Sequence, residues 1–391
     1  MRGRETNRNE KRERNIILKV LFRVLLIIAA LALILSYCSV YINPIKFIIP
    51  LFFGLYFIPI LLLNILLLFI ALIFRSKAAW ISIIALIPSL LFAERFYKIR
   101  GVKEQPFSTK QISIFSYNIG SFEQAENSET VDVKAILIDS IRKYNADIVC
   151  IQEYALFDED TLEHQFRNYK YFATHLNKRR KRSKRHTGLV LFSKYEIVNS
   201  GNISFKESSN CSMFADIVIG KDTIRIFNNH LESYSLSFKS LIQKLKTKDT
   251  TTQMAKEEIY NVHKKIGQTV LRRTLQLDSL SKLIFQSPYP TIICGDQNET
   301  PMSYAYTTLS RGHNDTFKEA GKGFSSTFRI FYPLLRIDYI FTPKSIEVNS
   351  HKTLRWPYSD HYPIIARITV KNHGNNISNK EKNSKYGKDS L

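Results

Sequence analysis

The stretch "TIICGDQNET", residues 291–300, decides how this chain is read. Four apolar or small residues run straight into Gly295, Asp296, Gln297 and Asn298. Extended backbone alternates its side chains with a period of two, so Asp296 and Asn298 are expected on the same side, projecting together from the end of a buried strand. A carboxylate and a carboxamide aimed at one point from a sheet's end make a candidate site.

Working outward, further runs of strand length with β-branched or aromatic content recur: "ISIFSYN", "ADIVCIQE", "TGLVLFS", "FADIVI", "TIRIFNNH", "RIDYIFTP" and "YPIIARITV". Between the first two, residues 131–144 carry Val133, Ile136, Leu137, Ile141 and Tyr144 at helical spacing. A second helical region, residues 252–285, precedes the opening stretch. Strands with helices between some of them argue for an α/β arrangement of sheets covered by helices. No internal repeat is visible.

Several runs end on, or contain, a chemically capable side chain: Asn118, Glu153, Asn229 with His230, Asp296 with Asn298, Asp338 inside "LRIDYIF", and Asp360 with His361 in "SDHYPI". A single buried Asn or Asp is more often a satisfied structural group. Six such strands together point to chemistry. Carboxylate and amide oxygens without thiolates favour Mg2+, Mn2+ or Ca2+ over zinc. Phosphoester hydrolysis suits that set, since phosphoryl oxygens need neutralising charge and a water needs a base and orientation. Asp296 and Asn298 are placed to hold the water, and two histidines to hold the phosphoryl oxygens.

The ordered motifs "SYNIGSF", "ADIVCIQEY", "NNHLES", "GDQNETP", "RIDYIF" and "SDHYPI" resemble the endonuclease/exonuclease/phosphatase (DNase I-like) superfamily across residues 110–370. That resemblance implies a four-layered α/β/β/α sandwich of two packed mixed sheets with the site at one end. It also implies that Glu153 is the main magnesium ligand, with Asn118 beside it and Asp360 near the metal. Asp296 would orient or deprotonate the attacking water and Asn298 would assist at the phosphate. His361 would contact the scissile phosphate, held by Asp338, and His230 would lie near the leaving-group side. No match to the inositol-gripping motifs of lipid phosphatases or to the membrane hairpin of secreted sphingomyelinases is apparent.

The remaining chain has a different composition. Residues 1–15 form a basic stretch, and three apolar runs, 16–40, 45–74 and 78–93, lead us to expect a membrane anchor of about three transmembrane helices within residues 16–94. A cleaved signal peptide fits less well, because the first run is long and two more follow it. Three crossings from a cytoplasmic amino terminus would export the hydrolase, a multi-pass inner-membrane protein with its catalytic domain on the periplasmic side. Residues 95–109 read as a linker and 371–391 as a disordered basic tail. Two insertions stand out: "NKRRKRSKRH", residues 177–186, and the apolar-basic alternation of residues 233–253.

The formal charge of +22 suits anionic phosphoester partners, either nucleic acid or a phospholipid headgroup, without choosing between them. The four cysteines show no disulfide or metal-ligand spacing. A non-catalytic binding module on the same fold would be expected to lack Glu153, Asp296 or His361, and all three are present. A transporter would place polar groups within its spans, whereas Lys19 and Arg23 lie near a span's end.

Overall fold

The computed structural model describes residues 2–101, 111–122, 133–157, 161–178, 185–234 and 252–370. Positions 179–184 of the basic stretch, 235–251 of the second insertion and the tail 371–391 lie outside the described residues, as does most of the linker. The chain divides into two units, Met1–Phe96 with Thr300–Thr307, and Tyr97–Glu299 with Thr308–Leu391.

The first unit is built from α1 (Arg2–Cys38), α2 (Ile49–Leu55), α3 (Phe57–Ile73) and α4 (Ala79–Leu86). Pro59 cannot donate to the carbonyl of Leu55 and its ring crowds that carbonyl, so a helix cannot run straight through this point. The chain bends by 72° between α2 and α3. Asn64 is buried on α3 and its amide donates to the carbonyls of Ala29 on α1 and Ile60, each at 2.9 Å. Tyr37 donates to Ala85 O at 2.9 Å. Outward faces remain apolar, as at Ile17, Leu21, Ile28, Leu62, Phe69 and Trp80.

The expectation of three crossings is not carried by these helices. Among the described residues one helix, Lys11–Cys38, is long and apolar enough to cross a membrane, or up to two if the bent α2–α3 pair forms a single span. The run at 78–93 yields an eight-residue helix passing into a 3-10 turn, Ile87–Leu91, with Pro88 at its start. At 1.5 Å per residue such a piece is too short to cross a hydrocarbon core.

In chain order the strands of the second unit are β1 (Tyr97–Lys98), β2 (Gln111–Asn118), β3 (Ile148–Phe157), β4 (Tyr171–Lys178), β5 (Arg185–Ser193), β6 (Ile197–Ser204), β7 (Cys211–Ile219), β8 (Asp222–His230), β9 (Thr291–Asp296), β10 (His313–Asp315), β11 (Gly323–Phe324), β12 (Asp338–Pro343), β13 (Glu347–Thr353) and β14 (Ile364–Thr369). They form two six-stranded mixed sheets, ordered β10-β12-β9-β8-β7-β6 and β13-β14-β2-β3-β5-β4, plus a ribbon of β1 with β11. Each large sheet contains one parallel pair, β2 with β3 and β8 with β9. Parallel neighbours need a crossover. The helices Val133–Tyr144 and Thr252–Phe285 supply the two crossovers, at the places their apolar spacing indicates.

Ile112, Ile114, Ile148, Cys150, Met213, Ile226 and Cys294 fill the space between the sheets. The alternate residues Phe115, Tyr117, Val149, Ile151 and Phe192 face the other way, against Leu137, Ile138 and Ile141 of the first crossover helix. Both faces of the central strands are therefore covered, which is why β2 is buried along its whole length. On the second sheet the long helix buries Ile266, Val270, Leu277 and Leu280. The result is the helix–sheet–sheet–helix sandwich implied by the motifs.

Candidate active site

The carboxyl ends of the two parallel pairs, one from each sheet, meet at the same end of the sandwich. Asn118 closes β2, Glu153 lies in β3, His230 closes β8 and Asp296 closes β9. Asp338 opens β12 directly opposite Asp296 in the antiparallel register, and His361 precedes β14.

These side chains form one connected set. The Asn118 amide donates to Glu153 Oε1 at 3.2 Å and to Asp296 Oδ2 at 3.0 Å. His230 Nε2 stands 3.5 Å from Glu153 Oε1 and 3.8 Å from Asp296 Oδ2, buried and with no hydrogen-bond partner among the described residues. His361 Nδ1 is 2.9 Å from Asp338 Oδ2, while its Nε2 faces Asp296 Oδ2 at 3.7 Å. Asp360 lies beside the turn after β2: a Cβ on Gly120 would sit 3.4 Å from its Oδ1. Ser359 secures that segment, its hydroxyl donating to Asn118 O at 2.9 Å.

Asn298 is placed differently from the expectation of simple alternation. The strand stops at Asp296, and Asn298 adopts a left-handed backbone with φ of 53°. Its N–H folds back onto Asp296 Oδ1 at 2.8 Å, and its side-chain amide donates to Leu231 O at 2.9 Å. A local Asx-type bond outcompetes further extension of the strand. Asn298 therefore braces Asp296 and the end of β8 through this turn. Glu153 has a similar backbone, φ 52°, at a register shift in the β3–β5 pairing. Such a conformation is costly for a residue with a side chain and persists where the surrounding structure enforces it.

Burial pushes the Asp296 carboxyl up, and although His361 opposes this, the net value rises to about 6. Burial alone would lower His361, but the carboxylates of Asp338, Asp296 and Asp360 outweigh it and hold the imidazole well above its ordinary value. The site thus pairs a carboxylate able to take a proton near neutral pH with an imidazole held in its charged form.

Two supporting features escaped the sequence. Gln152 donates to Asn228 Oδ1 at 2.7 Å, and Asn228 donates to Ile151 O and Val190 O at 3.1 Å each, so a polar bridge joins the two sheets. Arg273 is fully buried on the long helix; its Nε donates to Glu232 O at 2.7 Å and its Nη1 to Glu299. It ties together the segments that follow His230 and Asn298. A signal existed: Ile266, Val270, Arg273, Leu277 and Leu280 share one helical stripe, and a charge within an apolar stripe marks a buried ion pair.

A two-sheet α/β sandwich with an acid, amide and imidazole cluster at the end of both sheets defines a class of hydrolytic scaffold. The chain belongs to the Endonuclease/Exonuclease/phosphatase family, whose model matches residues 115–361; members of that family hydrolyse phosphoester bonds. Residues 19–96 match a second model, described as a domain of unknown function (DUF8431). An endonuclease/exonuclease/phosphatase from Beutenbergia cavernae aligns at 13% identity over 67% of this chain and 72% of its own, with a TM-score of 0.48. Humanized D. rerio TDP2 aligns at 16% identity over 67% and 100%, TM-score 0.47. The human Nocturnin catalytic domain with bound sulfate aligns at 17% identity over 70% and 100%, TM-score 0.47. A search of curated proteins finds no match.

Proposed function

We propose that this chain is a membrane-anchored, divalent-metal-dependent phosphoester hydrolase. The observation that carries the reading is the convergence of Asn118, Glu153, His230, Asp296 and His361 from both sheets within about 4 Å steps of one another. Glu153 and Asp360 offer hard carboxylate oxygens that fit Mg2+, or Mn2+ and Ca2+, and Asn118 would join them through its amide oxygen, which here accepts from Gly120 N–H at 3.0 Å and keeps a second lone pair. Asp296, Asp338 and His361 also bring ligand atoms within 4.8 Å of one another. That trio suits proton handling better, because His361 Nδ1 is already engaged by Asp338 and a protonated imidazole has no lone pair for a metal. When bound, the cation supplies charge neutralisation at the phosphoryl oxygens.

The chain's own groups account for the rest. Asp296, fixed by the Asn298 N–H, orients the attacking water and accepts one of its protons as the water oxygen bonds to phosphorus. His361, held charged by Asp338, binds a phosphoryl oxygen and offsets its developing charge. As the ester P–O bond breaks, the leaving oxygen takes up a proton from solvent water on the His230 side, and Asp296 returns its proton to solvent, so the proton count closes at each turnover. Asn118 keeps Glu153 and Asp296 apart and in register.

The apolar outward faces of the first unit support anchoring. In this reading α1 crosses the bilayer, the bent α2–α3 pair re-enters from and returns to the same face, and the hydrolase lies opposite the basic amino terminus. A reporter active only outside the cytoplasm, fused after residue 370, is expected to be on; an inactive fusion would remove the export reading. For the chemistry, the full-length chain is assayed against DNA, RNA, phosphoinositides and sphingomyelin. Activity should vanish in chelator and return with magnesium or manganese, and Glu153→Gln should cut turnover by about a hundredfold or more. Full turnover in excess chelator would refute the mechanism.

A further inference from the structure

The segment from Phe328 to Leu335 is locked to the site at its base and apolar at its tip. Phe328 pairs with His361 as an isolated antiparallel bridge, and its ring meets the imidazole edge-on at 5.1 Å. Arg329 N donates to Asp360 O and Tyr362 N to Thr327 O, both at 2.7 Å. Thr327 Oγ1 in turn accepts the N–H groups of Ile337 and Asp338. Beyond this grip Ile330 is 57% exposed, Phe331 36%, Tyr332 50% and Leu334 47%. Tyr332 meets Phe324 at 6.3 Å, and Phe324 meets Tyr97 at 4.9 Å, extending the patch onto the β1–β11 ribbon. Two cations rim it. Arg355 lies over the Tyr332 and Tyr362 rings at 4.5 and 4.6 Å, and Arg329 donates to Pro357 O.

A contiguous apolar patch of this kind on a protein surface marks an interaction site. Its chemistry favours lipid over nucleic acid. Aliphatic tips such as Ile330 and Leu334 have no π-face on which a base can stack, one face of the Tyr332 ring is taken by Arg355, and Phe331 stacks on Phe328. Aliphatic tips, tyrosine rings and a basic rim are the combination that sits at a bilayer interface, the apolar groups among acyl chains and the cations among phosphates. The ribbon's first strand also starts at Tyr97, immediately after the apolar unit ends at Phe96 in sequence.

We propose that segment 328–335 is an interfacial loop that seats the catalytic site on a phospholipid bilayer, so that the ester hydrolysed is the headgroup phosphoester of a membrane phospholipid. The substrate assignment rests on the hydrolase reading above; the lipid contact of the loop does not. The test uses the full-length chain, Cys38→Ser, reconstituted in phosphatidylcholine and phosphatidylglycerol vesicles; the other three cysteines are buried. A fluorophore on Leu334→Cys should be quenched by spin-labelled lipid and shielded from iodide. One on Val198→Cys, an exposed site on β6, should behave in the opposite way. In parallel, Ile330→Ser with Leu334→Ser should lower hydrolysis of vesicle phospholipid by about tenfold or more. Turnover of soluble bis(p-nitrophenyl) phosphate and of a single-stranded oligonucleotide should stay unchanged. An iodide-accessible Leu334 label overturns the proposal, as do equal losses on vesicle and soluble diester, or a loss confined to the oligonucleotide. A lipid-buried label on a chain that hydrolyses none of the three esters sinks the hydrolase reading and the substrate assignment, and upholds the loop's lipid contact.

Discussion

His361 and His351 lie ten residues apart and are both buried, 5% and 7% exposed, yet they are held in opposite charge states. Burial pushes each imidazole down. At His361 three carboxylates reverse that pressure. At His351 burial prevails, reinforced by Arg336 and only partly opposed by Asp315, and the value falls to about 3. Arg336 and Asp315 are a paired ion couple, joined at 2.8 Å by Nη1 and Oδ2, so together they present little net charge to the ring. Thr316 donates its hydroxyl to Ile340 O, which leaves its oxygen to accept from His351 Nδ1–H at 2.9 Å. A neutral tautomer is fixed at one histidine and a charged ring at the other. Similar depth of burial thus gives opposite outcomes: it decides the state of His351, and at His361 the neighbouring carboxylates overturn it.

The strongest way to break the contrast is Asp338→Asn, which keeps the shape but removes the carboxylate at 2.9 Å from His361. Turnover is expected to fall by about a thousandfold or more with little change in folding. Adding His361→Ala should cost little beyond either change alone, because residues that act as one unit are not additive. Independent, multiplying losses in steady-state kinetics would mean the two do not work as a pair.

A smaller effect is expected at the other histidine, in stability instead of rate. An unfolded His351 takes up a proton near 6.5, while the folded one does so only near 3. Between those values the unfolded state binds more protons, so stability is full above pH 6.5 and is lost as pH falls toward 3. At about 1.4 kcal/mol per pH unit, acidification from 6.5 to 5 should remove about 2 kcal/mol. His351→Asn should flatten that slope in denaturant titrations at several pH values; an unchanged slope would assign the acid sensitivity elsewhere. Smallest of the three, Thr316→Val strands the His351 N–H and should cost about 1 kcal/mol of stability. The rate constant for catalysis should not move, and a loss of turnover there would erase the distinction between the two histidines.

What could be read from the sequence divides along the same lines as the sheets. The apolar runs recognised there became β2, β3, β5, β7, β8, β9, β12 and β14, every one flanked by strands on both sides. β4, β6, β10 and β13 were not recognised, and these are the four edges of the two large sheets; the two-residue strands β1 and β11 were not recognised either. An edge strand needs no continuous apolar run, and polar residues there protect against unwanted pairing. β6, "IVNSGNIS", exposes Val198, Asn199 and Ser200, and its alternation is too weak to register as a strand. The site was legible for the same reason as the central strands, since a polar residue closing an apolar run is conspicuous. Asn298 was misplaced because a turn bond redirects the chain, and Arg273 was overlooked because its partners are distant in sequence. The third apolar run was overcounted: hydropathy measures composition, whereas crossing depends on unbroken helical length.

The order of strands has a consequence for how the candidate site is completed. β14 is the last strand among the described residues, yet it pairs with both β13 and β2, one place in from the edge of its sheet. His361 and Asp360 sit just ahead of it. A chain ending at β12 would hold Asn118, Glu153, His230, Asp296 and Asp338, yet it would lack the imidazole that Asp338 orients, and one sheet would stop at β2 without its last two strands. The candidate site is therefore complete only when β14 is seated beside β2.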